Sequence, residues 1–118
     1  MHDCPHCHGE LVATEFSCHA CGLALRGRFT HSRLARLSGA HQRLVEALLL
    51  AGGNLKELER ELGVSYPTVR KRVGEAREAL ELLRRADQLM VEDWLGQVER
   101  GELGAEEAAR FIDGLGGE

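Results

Sequence analysis

The 118-residue chain is poor in aromatic side chains, with only Phe16, Phe29, Tyr66, Trp94 and Phe111, while Leu, Ala, Glu and Arg abound. That balance disfavours an aromatic-lined β core and favours helices packed through aliphatic side chains, so the class is expected to be mainly α. There is no run approaching the roughly 18 apolar residues that span a bilayer, and no charged segment followed by an apolar leader. A cytoplasmic protein with no membrane partner is the expectation. Catalytic constellations are missing as well: no paired carboxylates in a definable pocket, no Gly-rich phosphate loop, no nucleophile beside an oriented base. No enzyme is expected. Glu92-Asp93 and Glu106-Glu107 read as solvated helix faces, the latter well placed near a helix N-terminus.

Acidic residues are absent from one stretch in particular. The net charge of −4 hides a split: residues 86–118 carry two arginines against nine acids (−7), residues 46–85 eight Lys/Arg against seven acids (+1), and residues 1–45 five arginines against three acids (+2). Between Leu23 and Val45 stand Arg26, Arg28, Arg33, Arg36 and Arg43 with no acid at all. Such a basic stripe suits phosphate contacts.

Cysteine is scarce but clustered. Cys4-Pro-His-Cys7 and Cys18-His-Ala-Cys21 form two C-x2-C pairs ten residues apart. In a reducing compartment such pairs are read as thiolate ligands rather than disulfides. Four soft ligands make a closed tetrahedral site, which suits one structural Zn²⁺ per chain and leaves no open position for catalysis. The metal would replace the core that so few residues cannot build. Gly22 suits a knuckle turn, Glu10–Phe16 is expected to supply a short β-hairpin, and His6, His8 and His19 are expected to be exposed spectators.

Helical periodicity begins at Ser32. Leu34, Leu37, Leu44, Val45, Leu48 and Leu49 fall on a repeating face broken at Ser38-Gly39 and ending at Gly52-Gly53. Asn54 caps a short helix with Leu55, Leu58 and Leu62 inward, and Gly63 ends it. Ser65 caps the next, which admits Pro67 in its first turn and runs Val69, Val73, Ala76 and Leu80 down one face. Helix, short turn, helix is a DNA-reading unit. Ser65, Tyr66, Pro67, Thr68, Arg70, Lys71 and Arg72 then face double-stranded DNA, with Arg33, Arg36 and Arg43 as phosphate contacts.

Residues 86–118 predict two helices, one with Met90, Trp94, Leu95 and Val98 and one with Ala108, Phe111, Ile112 and Leu115, joined by a turn over 100–104. Two such helices cannot enclose a core alone, so their apolar faces must meet another module or another chain. Val69, Val73, Ala76, Leu80, Leu83, Asp87, Met90 and Trp94 also alternate four and three apart, as a heptad seam does. That spacing fits a homodimer seam or a seam inside one subunit. Leu80, Leu83, Met90, Trp94, Phe111 and Ile112 are the expected assembly residues.

The stretch from Gly53-Asn-Leu-Lys56 through Leu62-Gly-Val-Ser65 to Thr68-Val-Arg-Lys71 resembles the Fis-type helix-turn-helix, departing from it at Glu59, where a small residue is usual. Together with the two C-x2-C pairs and the phrase Ser65-Tyr-Pro-Thr-Val-Arg70, the chain resembles the bacterial family called domain of unknown function 2089. The resemblance covers residues 4 to about 85 and implies a zinc ribbon joined to a helix-turn-helix with a role in transcription; it carries no biochemical activity. Val98-Glu-Arg-Gly-Glu-Leu-Gly-Ala-Glu-Glu-Ala-Ala-Arg-Phe-Ile112 is similar to the SHOCT-like helical hairpin, which implies association. The expected organisation is a zinc ribbon over 1–28, a helix-turn-helix domain over 29–85 and an acidic helical hairpin over 86–118. The expected function is a DNA-binding regulator, with an adaptor that contacts polymerase, a sigma factor or a stress-response partner through its hairpin as the alternative.

Overall fold

The computed structural model describes residues 3–115, so positions 1–2 of the expected ribbon and 116–118 of the expected tail lie outside the described residues. Seven elements follow one another: β1 (Ala13–Ser17), β2 (Ala24–Phe29), α1 (Arg33–Arg36), α2 (Gly39–Leu50), α3 (Leu55–Leu62), α4 (Tyr66–Glu99) and α5 (Ala105–Gly114). The fold is mainly α with one small antiparallel hairpin, as the composition implied. None of the described helices is long and apolar enough to cross a membrane.

The hairpin differs from the expectation. Only β1 begins in the stretch Glu10–Phe16, and its partner is the Arg-bearing segment Ala24–Phe29, so the second cysteine pair stands at the turn. Register runs Phe16 to Leu25 and Ser17 to Ala24, with an irregularity between Ala13 and Glu15. Charge and aromatic pairs hold the two strands. Arg26 meets its cross-strand partner Glu15 at 3.8 Å, and Phe16 and Phe29 make an edge-to-face contact at 4.7 Å. An Arg-rich strand carries no alternating apolar signal, which is why β2 is not visible as a strand in the sequence.

Leu37–Gln88 forms one compact unit. Ser38 caps α2 by accepting the His41 N–H, and Asn54 Oδ1 caps α3 by accepting the Lys56 N–H at 3.0 Å. Leu44, Leu58, Val69 and Ala76 form the core, walled by Ala47, Leu48, Leu55, Leu62, Val64 and Val73. Leu49, expected on the inward face of α2, instead stands exposed near its end. Leu58 and Val69 are the largest fully buried side chains. Each contributes roughly 1.5–3 kcal/mol by burial, enough to orient α3 against the first turns of α4.

The other unit joins residues of the stretches 1–36 and 89–118. Its α5 folds back on the end of α4, where Trp94 and Phe111 pack with ring centroids 5.3 Å apart, while Ala108 and Leu115 are buried. Gly101, at φ 75, and the Glu102 N–H bonded to Gln97 O at 2.8 Å turn the chain between the two helices. Thr30 Oγ1 donates to Gly114 O, and a Cβ at Gly114 would lie only 3.1 Å from that hydroxyl. The tail thus touches Thr30, the residue that follows β2. α4 passes residue 85, where a domain boundary was expected, without a break.

Candidate zinc ribbon and nucleic-acid interface

The two cysteine pairs fold into the same turn twice. Cys4 N–H donates to Gly9 O at 2.7 Å and His8 N–H to Cys4 O at 2.8 Å; Cys18 N–H donates to Leu23 O at 2.7 Å and Gly22 N–H to Cys18 O at 2.8 Å. The residue four beyond the first cysteine is left-handed in both, His8 at φ 61 and Gly22 at φ 77. Glycine adopts that region freely, whereas His8 does so against its own Cβ. His8 is the structural counterpart of Gly22, which its position four beyond Cys4 encodes although its residue type does not.

These turns aim backbone donors at sulfur. The Cys4 thiol is held below the ordinary thiol range chiefly by the Cys7 N–H, then by the His6 N–H and the Cys7 thiol. The Cys18 thiol is lowered in the same way by the Cys21 N–H, the Ala20 N–H and the Cys21 thiol. Donation to sulfur favours the thiolate, the form that ligates metal. Gly9 keeps room for the second sulfur, since a Cβ there would stand 3.3 Å from Cys7 Sγ. Cys7, Cys18 and Cys21 are exposed, and so are His6, His8 and His19.

Among the described residues no group of three or more His, Cys, Asp or Glu is gathered so as to hold a metal ion. The structure therefore shows two preformed two-thiol halves, one before β1 and one between β1 and β2. Their donor set fits Zn²⁺ in its chemistry: four soft sulfurs, each pair braced by N–H groups. Cys4, Cys7, Cys18 and Cys21 would be the ligands, and the ion would supply cohesion to a hairpin that exposes most of its side chains.

In the central unit the turn between α3 and α4 is built as the sequence implied. Gly63 takes φ 66 and its N–H donates to Glu59 O at 3.0 Å. Ser65 O accepts the Val69 N–H at 3.0 Å, and the Ser65 and Thr68 hydroxyls share a hydrogen bond of 2.9 Å at the start of α4. Val69 points fully into the core, which turns the neighbouring positions outward. Ser65, Tyr66, Pro67, Arg70, Lys71 and Arg72 are exposed together on the first turns of α4, with Thr68 half-buried among them. Glu59 lines an open cleft of about 570 Å³ with Lys56, Arg60, Gly63, Val64 and Ser65. Its charge thus has access to water, which accounts for a carboxylate where a small residue is usual.

The basic stripe is divided among three elements. Arg26 and Arg28 belong to β2 and are exposed, Arg33 and Arg36 to α1 and are half-buried, and Arg43 to α2 and is exposed. The Arg36 Nε is withdrawn from solvent. Arg43 folds back over Gly39, where a Cβ would stand 3.2 Å from its guanidinium. Of the three expected phosphate contacts, only Arg43 lies in the same unit as the start of α4. Among the expected assembly residues, Leu80, Leu83, Trp94 and Ile112 are half-buried, and Met90 and Phe111 are exposed.

Comparison with known families agrees with this division of labour. A family model described as the DUF2089 zinc ribbon matches residues 4–35, and one described as the domain of unknown function (DUF2089)-HTH matches residues 37–83. Together they span about two thirds of the chain, and neither reaches the C-terminal hairpin. No curated protein and no solved structure gives a match.

Proposed function

The chain belongs to the domain of unknown function 2089 family, and on that premise we propose that it is a DNA-binding transcriptional regulator that reads the major groove with the start of α4. The observation that carries this reading is the burial split at the N-terminus of α4. Val69 is locked into a three-helix core, while Tyr66, Pro67, Arg70, Lys71 and Arg72 project from the same two turns into solvent. Arg70 supplies a fork that matches guanine, Lys71 and Arg72 neutralise phosphates, and Tyr66 packs on a sugar or a thymine methyl. One structural Zn²⁺ bound by the four cysteines folds the ribbon, the chain acts in the cytoplasm as a homodimer, and it has no catalytic role.

Selection from a pool of random duplexes by the zinc-loaded protein at about 100 mM salt tests this, because specific contacts outlast non-specific ones there. An enriched motif supports the reading. No enrichment by a folded, metallated protein refutes it.

A second reading, a protein-binding adaptor, is favoured by the apolar side chains left in solvent on the ribbon (Phe16, Leu23, Leu25) and on the tail (Met90, Leu95, Phe111). Complexes formed through them would persist at a salt concentration that strips DNA.

A further inference from the structure

The first part of the seam that the heptad spacing suggested is covered by the chain itself. Val69 and Ala76 are buried against α2 and α3, and Asp87, farther along the same face, is buried as well. A second stripe with the same alternation runs along a different face of α4: Glu75, Ala79, Leu82 and Ala86, four, three and four residues apart. Leu82 at its centre is 66% exposed, Glu75 and Ala86 are exposed, and Ala79 is half-buried. At about 100° per residue Tyr66, Pro67 and Arg70, the core residues and this stripe occupy three different faces, roughly 105–145° apart, while Lys71 and Arg72 lie toward the stripe's side one to two turns before it.

We propose that this stripe is the interface with a second copy of the chain, paired antiparallel about a two-fold axis that passes between Ala79 and Leu82. Three independent features select that arrangement. In it Ala79 faces Leu82 of the second copy and Leu82 faces the copy's Ala79, so a small side chain meets a large one at the centre and the helix axes approach to about 8–10 Å. Glu78 and Arg85, both exposed beside the stripe, are brought opposite each other, Glu78 to the copy's Arg85 and Arg85 to the copy's Glu78. A parallel pair would oppose Ala79 to Ala79 and leave this charge pairing unmade.

The third feature rests on the DNA-reading assignment. Val69 and its copy lie about 23 helical residues apart along the antiparallel pair, or about 34 Å, the separation of successive major grooves on one side of a duplex. The two-fold axis also turns both reading faces to the same side of the dimer. A parallel pair would set the reading ends side by side, too close for two half-sites.

The experiment is sedimentation of the zinc-loaded full chain between about 1 and 100 µM, the range in which mass action separates monomer from dimer. Wild type is expected to be a dimer, and Leu82→Glu a monomer with unchanged helical circular dichroism. Glu78→Arg and Arg85→Glu should each weaken the dimer about tenfold, and the double swap should restore it, because each copy then offers Arg at 78 to Glu at 85. A wild-type monomer throughout would assign the stripe to some other partner and overturn the proposal. So would a dimer that survives Leu82→Glu, or a double swap no better than the single changes. None of these readings needs DNA, so an intact dimer that selects no motif would sink the regulator reading and leave the interface standing.

Discussion

Replacing Leu58 by alanine removes the side chain on which the first turns of α4 rest. Leu58 is fully buried between α2 and α4, beside Val69. Truncating such a leucine costs about 2–5 kcal/mol, the upper half applying where the walls cannot collapse into the space. The Leu37–Gln88 unit is small, and at roughly 0.05–0.15 kcal/mol per residue its whole stability is only about 3–8 kcal/mol. A loss of about 3 kcal/mol should therefore lower its thermal midpoint by roughly 12–24 °C, because about 1 kcal/mol corresponds to 4–8 °C in a domain this size. Thermal unfolding of the zinc-loaded protein followed by helical circular dichroism measures this directly. Leu49→Ala is the control: Leu49 is 72% exposed near the end of α2, so its truncation should move the midpoint by no more than about 0.5 kcal/mol equivalent. If the two variants melted together, or Leu58→Ala cost less than about 1 kcal/mol, the packing that positions Arg70 and Lys71 would not be as described.

Other outcomes follow from the site geometry. Cys18→Ser should release zinc and unfold the ribbon while the core around Leu58 persists; metal analysis that still finds one zinc per chain would show that four cysteines are not the ligand set. In the metal-free protein, thiolate absorbance should reveal two thiols titrating below the ordinary range, a step lost in the Cys4→Ser, Cys18→Ser double variant. The folded-state values being lowered, this stabilisation is present above the unfolded-state value and disappears as pH falls through the lowered one, so a single ordinary thiol transition would contradict it. Gly63→Ala forces a Cβ into φ 66 and should destabilise the central unit by about 1 kcal/mol in a denaturant titration. Arg70→Ala combined with Lys71→Ala should abolish motif selection without changing helix content, and selection that persists would mean the reading helix is misassigned.

The features legible in the sequence are those that chemistry encodes locally. The C-x2-C spacing, the cap at Asn54, the left-handed Gly63 and the recurrence of Leu55, Leu58 and Leu62 are each properties of a few adjacent residues, and these appear where the spacing put them. The exposure of Pro67, Arg70 and Lys71 was readable for the same reason, since Val69 inward turns the positions two before and one and two after it outward. What only tertiary structure decided is which groups meet. Periodicity puts Val69, Val73, Ala76 and Leu80 on one face of α4 but leaves open whether that seam closes within the subunit or against a copy; packing buried Val69 and Ala76 against α2 and α3 and left Leu82, on another face, in water. A row of arginines is one stripe in sequence, yet strand pairing draws Arg26 to Glu15 and folding withdraws the Arg36 Nε from solvent. The left-handed backbone at His8 is likewise something that its residue type gives no sign of. Spacing along a chain fixes direction within an element, whereas burial depends on what the other elements bring to it, and no local pattern contains that information.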